Sequence, residues 1–346
     1  MKILKRYLCY RLESSALRTV VFTVISAILT WNTVSDCTDG GAVEYNETGI
    51  YILAVVLGAL CTVIPILELS AFKNRRNLDT LYFFPINRGK MALVHYISGF
   101  IQVLFAYTVT FGVAYVYLAA NTDYFALGYM PLYYLLSVLL GLVMYSFFTF
   151  VFWQANTVAD GVVFCVLWMF VIYIVAQPLR AEVLRTFLAG TKYWENSANL
   201  SEWGIVYAPI NNLTVIFQDL IEINKDGLEY YYRDEYAVRY LSQAYMFFAW
   251  GVVGIAAALG YLVTFIKKGA EKAGEISSSI FGYKLLIPLY GYSLLMMYDS
   301  IDFMTVLIFI AMVIGYIIYR RSFRLKTSDL VFTGCGALAV VLGMMF

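Results

Sequence analysis

Residues 93–121 read LVHYISGFIQVLFAYTVTFGVAYVYLAAN, and the stretch from Leu93 to Asn121 contains no Asp, Glu, Lys or Arg. Ala126 to Ala159 is equally free of charge. About twenty apolar residues suffice to cross a bilayer as a helix. In lipid only a helix or a closed barrel satisfies its own backbone, and no strand-like alternation runs through these stretches. They therefore read as membrane-spanning helices.

Working outward, similar stretches recur at about 18–35, 50–69, 92–120, 131–153, 161–178, 244–266, 285–298, 303–319 and 330–346. The expectation is an all-α, polytopic membrane protein of eight to nine spans. Composition agrees: 62% of the chain is hydrophobic, 14% is charged, and the mean hydropathy is +0.74, outside the range of soluble domains. The net charge of +1 conceals an asymmetry. If the N-terminus is cytoplasmic, the inner segments hold eighteen of the twenty-four Lys and Arg. Sixteen of the twenty-three acids then lie outside. The positive-inside rule thus places the N-terminus in the cytoplasm of a multi-pass plasma-membrane protein.

Residues 1–17 read as an interfacial amphipathic helix, with Ile3, Leu4, Tyr7, Leu8 and Leu12 opposite Lys2, Lys5, Arg6 and Glu13. Residues 18–178 hold spans one to five and, between the second and third, the cytoplasmic segment 70–91. There an amphipathic helix over 70–84, with Arg75 and Asp79 one turn apart, is stopped by Pro85. Asn87 is placed to cap the next span. Residues 179–243 form an aromatic and acidic extracellular cap loop, and 244–346 the C-terminal spans. The chain ends apolar at Phe346, which is compatible with a further outer segment. Five scattered cysteines offer no disulfide framework.

Chemistry-bearing motifs are few. No phosphate loop, nucleophile elbow or zinc-binding His-Glu-x-x-His pair is present, so the chain carries no nucleotide-hydrolysing site of its own. No catalytic residue, cofactor, metal or nucleic-acid interaction is expected. His95, the one histidine, reads as a helix-end residue, and Glu68 and Asp160 as snorkelling or capping residues at span ends. Asn32, Gln102, Gln154, Asn156 and Gln177 are candidates to line a path between helices, or to bond one helix to another. With intramembrane charge this scarce, any driving energy is expected from a partner. Asp36, Asp39 and Glu44 in the first outer loop keep a second class open, a membrane glycosyltransferase or other lipid-linked enzyme. A scaffold or sensor with a partner-binding outer cap is the third.

The run Asp79-Thr-Leu-Tyr-Phe-Phe-Pro-Ile-Asn-Arg88 resembles the D-x-x-x-S-L-P-I-S-R stretch of type-2 ABC exporter permeases, with Phe and Asn for the usual Leu and Ser. Glu271, Ala273 and Gly274 resemble the R-x-S-E-x-A-G stretch of bacterial multidrug-type relatives, with Lys268 and Ala270 at the Arg and Ser positions. The resemblance implies a permease subunit that forms an efflux path and docks on separate ABC ATPase subunits, which bind ATP and magnesium. It implies a second permease, the same or different, in the assembly. It assigns coupling to Phe72, Arg75, Arg76, Asp79, Leu81, Pro85, Arg88, Glu271 and Gly274.

Overall fold

Charge-free stretches become helices in the computed structural model. It describes residues 2–36, 48–74, 86–121, 130–171, 233–269, 273–296 (Ser278 excepted) and 303–320, with a few isolated positions besides. Among these residues every regular element is helical. Helix α1 is Lys2–Asp36, α2 Thr48–Leu69, α3 Arg88–Asn121 and α4 Met130–Gln154. Then follow α5 at Val158–Val171, α6 at Arg233–Lys267, α7 at Leu285–Met296 and α8 at Phe303–Arg320. Five of them (α1 to α4 and α6) are long and apolar enough to cross a membrane. The described parts of α5, α7 and α8 are shorter apolar helices.

The segment 1–17 is continuous with the first span: from Lys2 on, it forms the first half of α1, a single helix of 35 residues. At about 1.5 Å per residue this is some 50 Å of helix, well beyond the hydrocarbon thickness. Its apolar spacing is real, because Tyr7 is buried while Lys5, Arg6 and Glu13 are exposed. That face packs on α2 and α3. Beyond Leu17, which is 80% exposed, α1 turns Val20, Val24, Ile28 and Trp31 outward. Such an apolar surface suits lipid and would be a liability in water.

The chain divides into two units, residues 1–153 with 208–270 and residues 154–207 with 271–346. In the first unit, the pairs Tyr7–His95, Ser26–Thr110 and Trp31–Tyr117 advance together, so α1 and α3 run parallel. Tyr96 bonds Ser146 and Tyr107 bonds Ser137, so α4 runs back along α3. Between them lies a core of Leu53, Leu57, Tyr107, Phe111, Tyr133 and Tyr145. Helix α6 runs parallel to α4 and close to it. A Cβ on Gly254 would stand 2.9 Å from Val143 Cγ2, which explains the small residue there. The N-termini of α1 and α3 and the C-termini of α2, α4 and α6 therefore share one end of this unit. The expected cap is present there: Asn87 Oδ1 accepts the Gly89 N–H at 3.0 Å at the start of α3.

In the second unit, Thr157 caps α5 by accepting the Asp160 N–H at 3.0 Å, and Tyr283 O–H donates to the Asp160 carboxylate at 3.0 Å. Asp160 thus serves at the helix end where the sequence placed it. Helices α7 and α8 pack together after a wide turn at Ile280–Lys284, where Gly282 leaves helical geometry.

Candidate functional site

Three helices each turn one polar stripe toward a single point in the first unit. On α1, Tyr7, Arg11, Ser15 and Arg18 fall on one face by their spacing of four, four and three. On α3, His95, Ser98 and Gln102 do the same. Helix α2 contributes Glu68 from its last turn. The point is otherwise apolar, so these groups must satisfy one another.

They do so around the Glu68 carboxylate, which is 1% exposed. Oε1 accepts Arg11 Nη2 at 2.9 Å, Arg11 Nε at 3.3 Å and His95 Nδ1 at 3.0 Å. Oε2 accepts Arg18 Nη2 at 2.6 Å and Gln102 Nε2 at 3.4 Å. Arg18 Nη2 also donates to Gln102 Oε1 at 2.9 Å. The Gln102 amide is held in turn by the Ser98 carbonyl at 3.2 Å. His95 Nε2 lies 3.0 Å from Tyr7 Oη. Glu68 is therefore a fully buried counter-ion with two guanidiniums, not the snorkelling span-end residue its position in the sequence suggests.

A second cluster adjoins the first through Phe72. The Phe72 ring meets His95 edge-on at 4.8 Å and Phe265 at 5.2 Å, and Phe265 stacks on Trp153 at 4.3 Å. The Trp153 carbonyl accepts Lys73 Nζ at 3.0 Å and Lys268 Nζ at 2.8 Å. Lys73 Nζ also stands 4.6 Å from the centre of the Trp153 ring. Two lysines from distant parts of the chain thus end on one carbonyl in the last turn of α4.

The residues singled out from the sequence separate into three groups. Gln102 joins the buried network. Gln154 and Asn156 instead secure a loop of the second unit. Asn156 Nδ2 donates to the Ile276 carbonyl at 3.2 Å and its carbonyl accepts the Gly274 N–H at 3.0 Å. Ser279 Oγ donates to Gln154 Oε1 at 3.0 Å. Gly274 has φ 82°, a left-handed conformation that favours glycine. Asn32 is exposed on α1. Phe72 is buried in the aromatic cluster rather than turned outward, and the described part of the expected 70–84 helix is a short 3₁₀ turn at Ser70–Lys73. Arg88 is exposed at the first position of α3. Arg75, Arg76, Asp79, Leu81, Pro85, Glu271 and Gln177, like Asp39 and Glu44, lie outside the described residues.

Sequence reading missed the Glu68 network. The available signal was spacing: Arg11 and Arg18 are seven residues apart, and so are His95 and Gln102. Among the described residues, no group of three His, Cys, Asp or Glu could hold a metal ion. No protein-family model matches the chain, and no curated protein matches it significantly.

Proposed function

We propose that this chain is the membrane-spanning subunit of an ATP-driven exporter of the type-2 ABC kind, multi-pass in the plasma membrane with its N-terminus in the cytoplasm. It does no chemistry itself. Separate ATPase subunits bind ATP and magnesium, and a second permease completes the path. Eight to nine spans are proposed.

The observation that carries the reading is the Trp153 carbonyl. Lys73 lies in the inner segment 70–91, and Lys268 in the inner segment 267–284. These are the two stretches in which the family resemblance lies. The two lysines meet on one carbonyl at the end of the unit that also carries Lys5, Arg6, Arg88 and Lys90. The end of the first unit where Lys73 and Lys268 meet, with Lys5, Arg6, Arg88 and Lys90, is rich in cations and suited to receiving a soluble partner.

The rival class is a lipid-linked enzyme that uses Asp36 and Asp39, and replacing both with Asn separates the two. For the permease, transport stays within a few-fold of wild type, because the loop supplies only negative charge. For the enzyme, losing a metal ligand or general base costs about a hundredfold or more. The measurement is transport or product formation at matched expression.

A further inference from the structure

We propose that Arg11 and Arg18 hold the phosphodiester of an anionic phospholipid at the surface of α1, and that its acyl chains lie along the apolar line continuing from Arg18. The inference stands on the charge and geometry of the Glu68 network in a membrane-spanning chain and does not rest on the exporter reading.

Charge does not balance within the network. Among the described residues, Glu68 is the one carboxylate paired with Arg11 or Arg18. His95 adds no charge as a neutral imidazole, with its Nδ1–H donating to Glu68 and its Nε2 accepting from Tyr7 O–H. Two guanidiniums and one carboxylate leave a formal charge of +1.

Hydrogen bonding is incomplete at the same place. Glu68 takes Nε and Nη2 of Arg11 but only Nη2 of Arg18. Arg18 Nε is buried without a partner, and Nη1 of either arginine makes no hydrogen bond. The two guanidiniums reach the edge of the unit, with the Arg11 side chain 18% exposed and that of Arg18 26%. Excess positive charge with unmatched N–H groups suits an anionic acceptor, and phosphate oxygens match the guanidinium fork.

Depth selects a lipid as the source. No charged residue follows Arg18 until Asp36, so about 25 Å of helix runs through hydrocarbon beyond it. Arg18 therefore stands at the edge of the hydrocarbon, and Arg11, two turns back, lies in the headgroup layer. Arg18, Val21, Ile25 and Ile28 follow one another on one face of α1 at spacings of three, four and three. Val21, Ile25 and Ile28 are all exposed. This apolar line starts at the guanidinium and leads away from it across the membrane, the course an acyl chain takes from its headgroup. A zwitterionic lipid brings its own ammonium and leaves the excess charge in place. An anionic one neutralises it.

The test is lipid retention by the full chain, purified in a mild detergent and read by native mass spectrometry. Phosphatidylglycerol should be held about fivefold more tightly than phosphatidylcholine of the same acyl chains, the preference that one uncompensated cation near a headgroup supplies. Ser14 provides the decisive variant. It is exposed on α1, three residues after Arg11 and four before Arg18, and its hydroxyl donates to the Arg11 carbonyl at 2.9 Å. Ser14→Glu places a carboxylate one turn before Arg18 and leaves the Glu68 network in place, so it should erase the preference. Lys5→Gln makes the same change in net charge on the other side of α1 and should leave most of the preference. Both variants should unfold near the wild-type temperature in detergent alone. Arg18→Gln leaves Arg11 and Glu68 balanced and should also erase the preference, which gives the same reading if Ser14→Glu fails to fold. Equal retention of both lipids by the wild type, or a preference that survives in a folded Ser14→Glu or Arg18→Gln variant, overturns the site. An equal loss in Lys5→Gln and Ser14→Glu also overturns it, since that marks a diffuse effect of charge. Displacement of phosphatidylglycerol by inorganic phosphate overturns the lipid and assigns the site to a soluble anion.

Discussion

Replacing Glu68 with Ala is expected to cost about 3–5 kcal/mol of stability, among the largest effects any single substitution in this chain should have. The reason is what remains. Arg11 and Arg18 would keep their positions on α1 but lose their counter-ion, and His95 Nδ1 and the Gln102 amide would lose an acceptor. An exposed ion pair would be worth only about 0–1 kcal/mol, but Glu68 is 1% exposed. The argument also fixes the order of a series. Glu68→Gln keeps one acceptor and should cost less than Glu68→Ala. Removing the charges together, with Glu68→Leu, Arg11→Met and Arg18→Met, should cost less than Glu68→Ala alone, because apolar groups can replace a buried ionic cluster with little loss. Thermal or denaturant unfolding in a mild detergent reads the series. A loss below about 1 kcal/mol for Glu68→Ala would show that the carboxylate is solvated and the network incidental.

On the proposed exporter reading, reversing the charge at Arg75, Arg76 and Arg88 is expected to weaken binding of an ATPase partner and lower substrate-stimulated ATP hydrolysis, while the chain itself stays folded. Placing like charges where a partner expects cations costs several kcal/mol of association. Arg88 supports the folding half of this expectation: it is exposed at the first position of α3. The helix start is held instead by Asn87, whose side chain caps it. Topology has to be checked in the same variant, because inner cations also orient spans. A correctly inserted triple reversal that still binds its ATPase and transports normally would remove the docking role.

The helices were legible because lipid leaves a coarse signature. A run without charge, such as Leu93–Asn121, has few alternatives to a spanning helix, and Asn87 marked its start. The Glu68 network was not legible for a different reason. Arg11, Glu68 and His95 sit far apart in the chain, each near the end of a span. Each has an ordinary local explanation as an anchor or snorkelling group. Only the parallel run of α1 and α3, with the end of α2 between them, brings the three together. Helix phase held part of the answer, since Tyr7, Arg11 and Arg18 share the face that the amphipathic reading assigned to apolar contacts. The same cause explains Gln154 and Asn156. Polar residues near a span end can line a path or tie down a loop, and these two bond Ser279, Ile276 and Gly274.

The continuity of α1 bears on the coupling of the two clusters. A separate interfacial helix could move independently of the first span. In a single helix from Lys2 to Asp36, Arg11 and the apolar part of the span belong to one continuous element. Phe72 touches His95 on one side and Phe265 on the other, so the Glu68 network and the Trp153 node are in mechanical contact. In an exporter, this contact would let the partner's stroke at one node reach the helix held by the other.

Purification of the native complex tests the central claim most directly. Gentle detergent extraction from the source membrane, with affinity capture on this chain and quantitative mass spectrometry of what is retained, should recover an ATPase subunit with a phosphate-loop motif in roughly equal amount. Recovery of the chain as a stable, active species without any ATPase, in several mild detergents, would contradict the account.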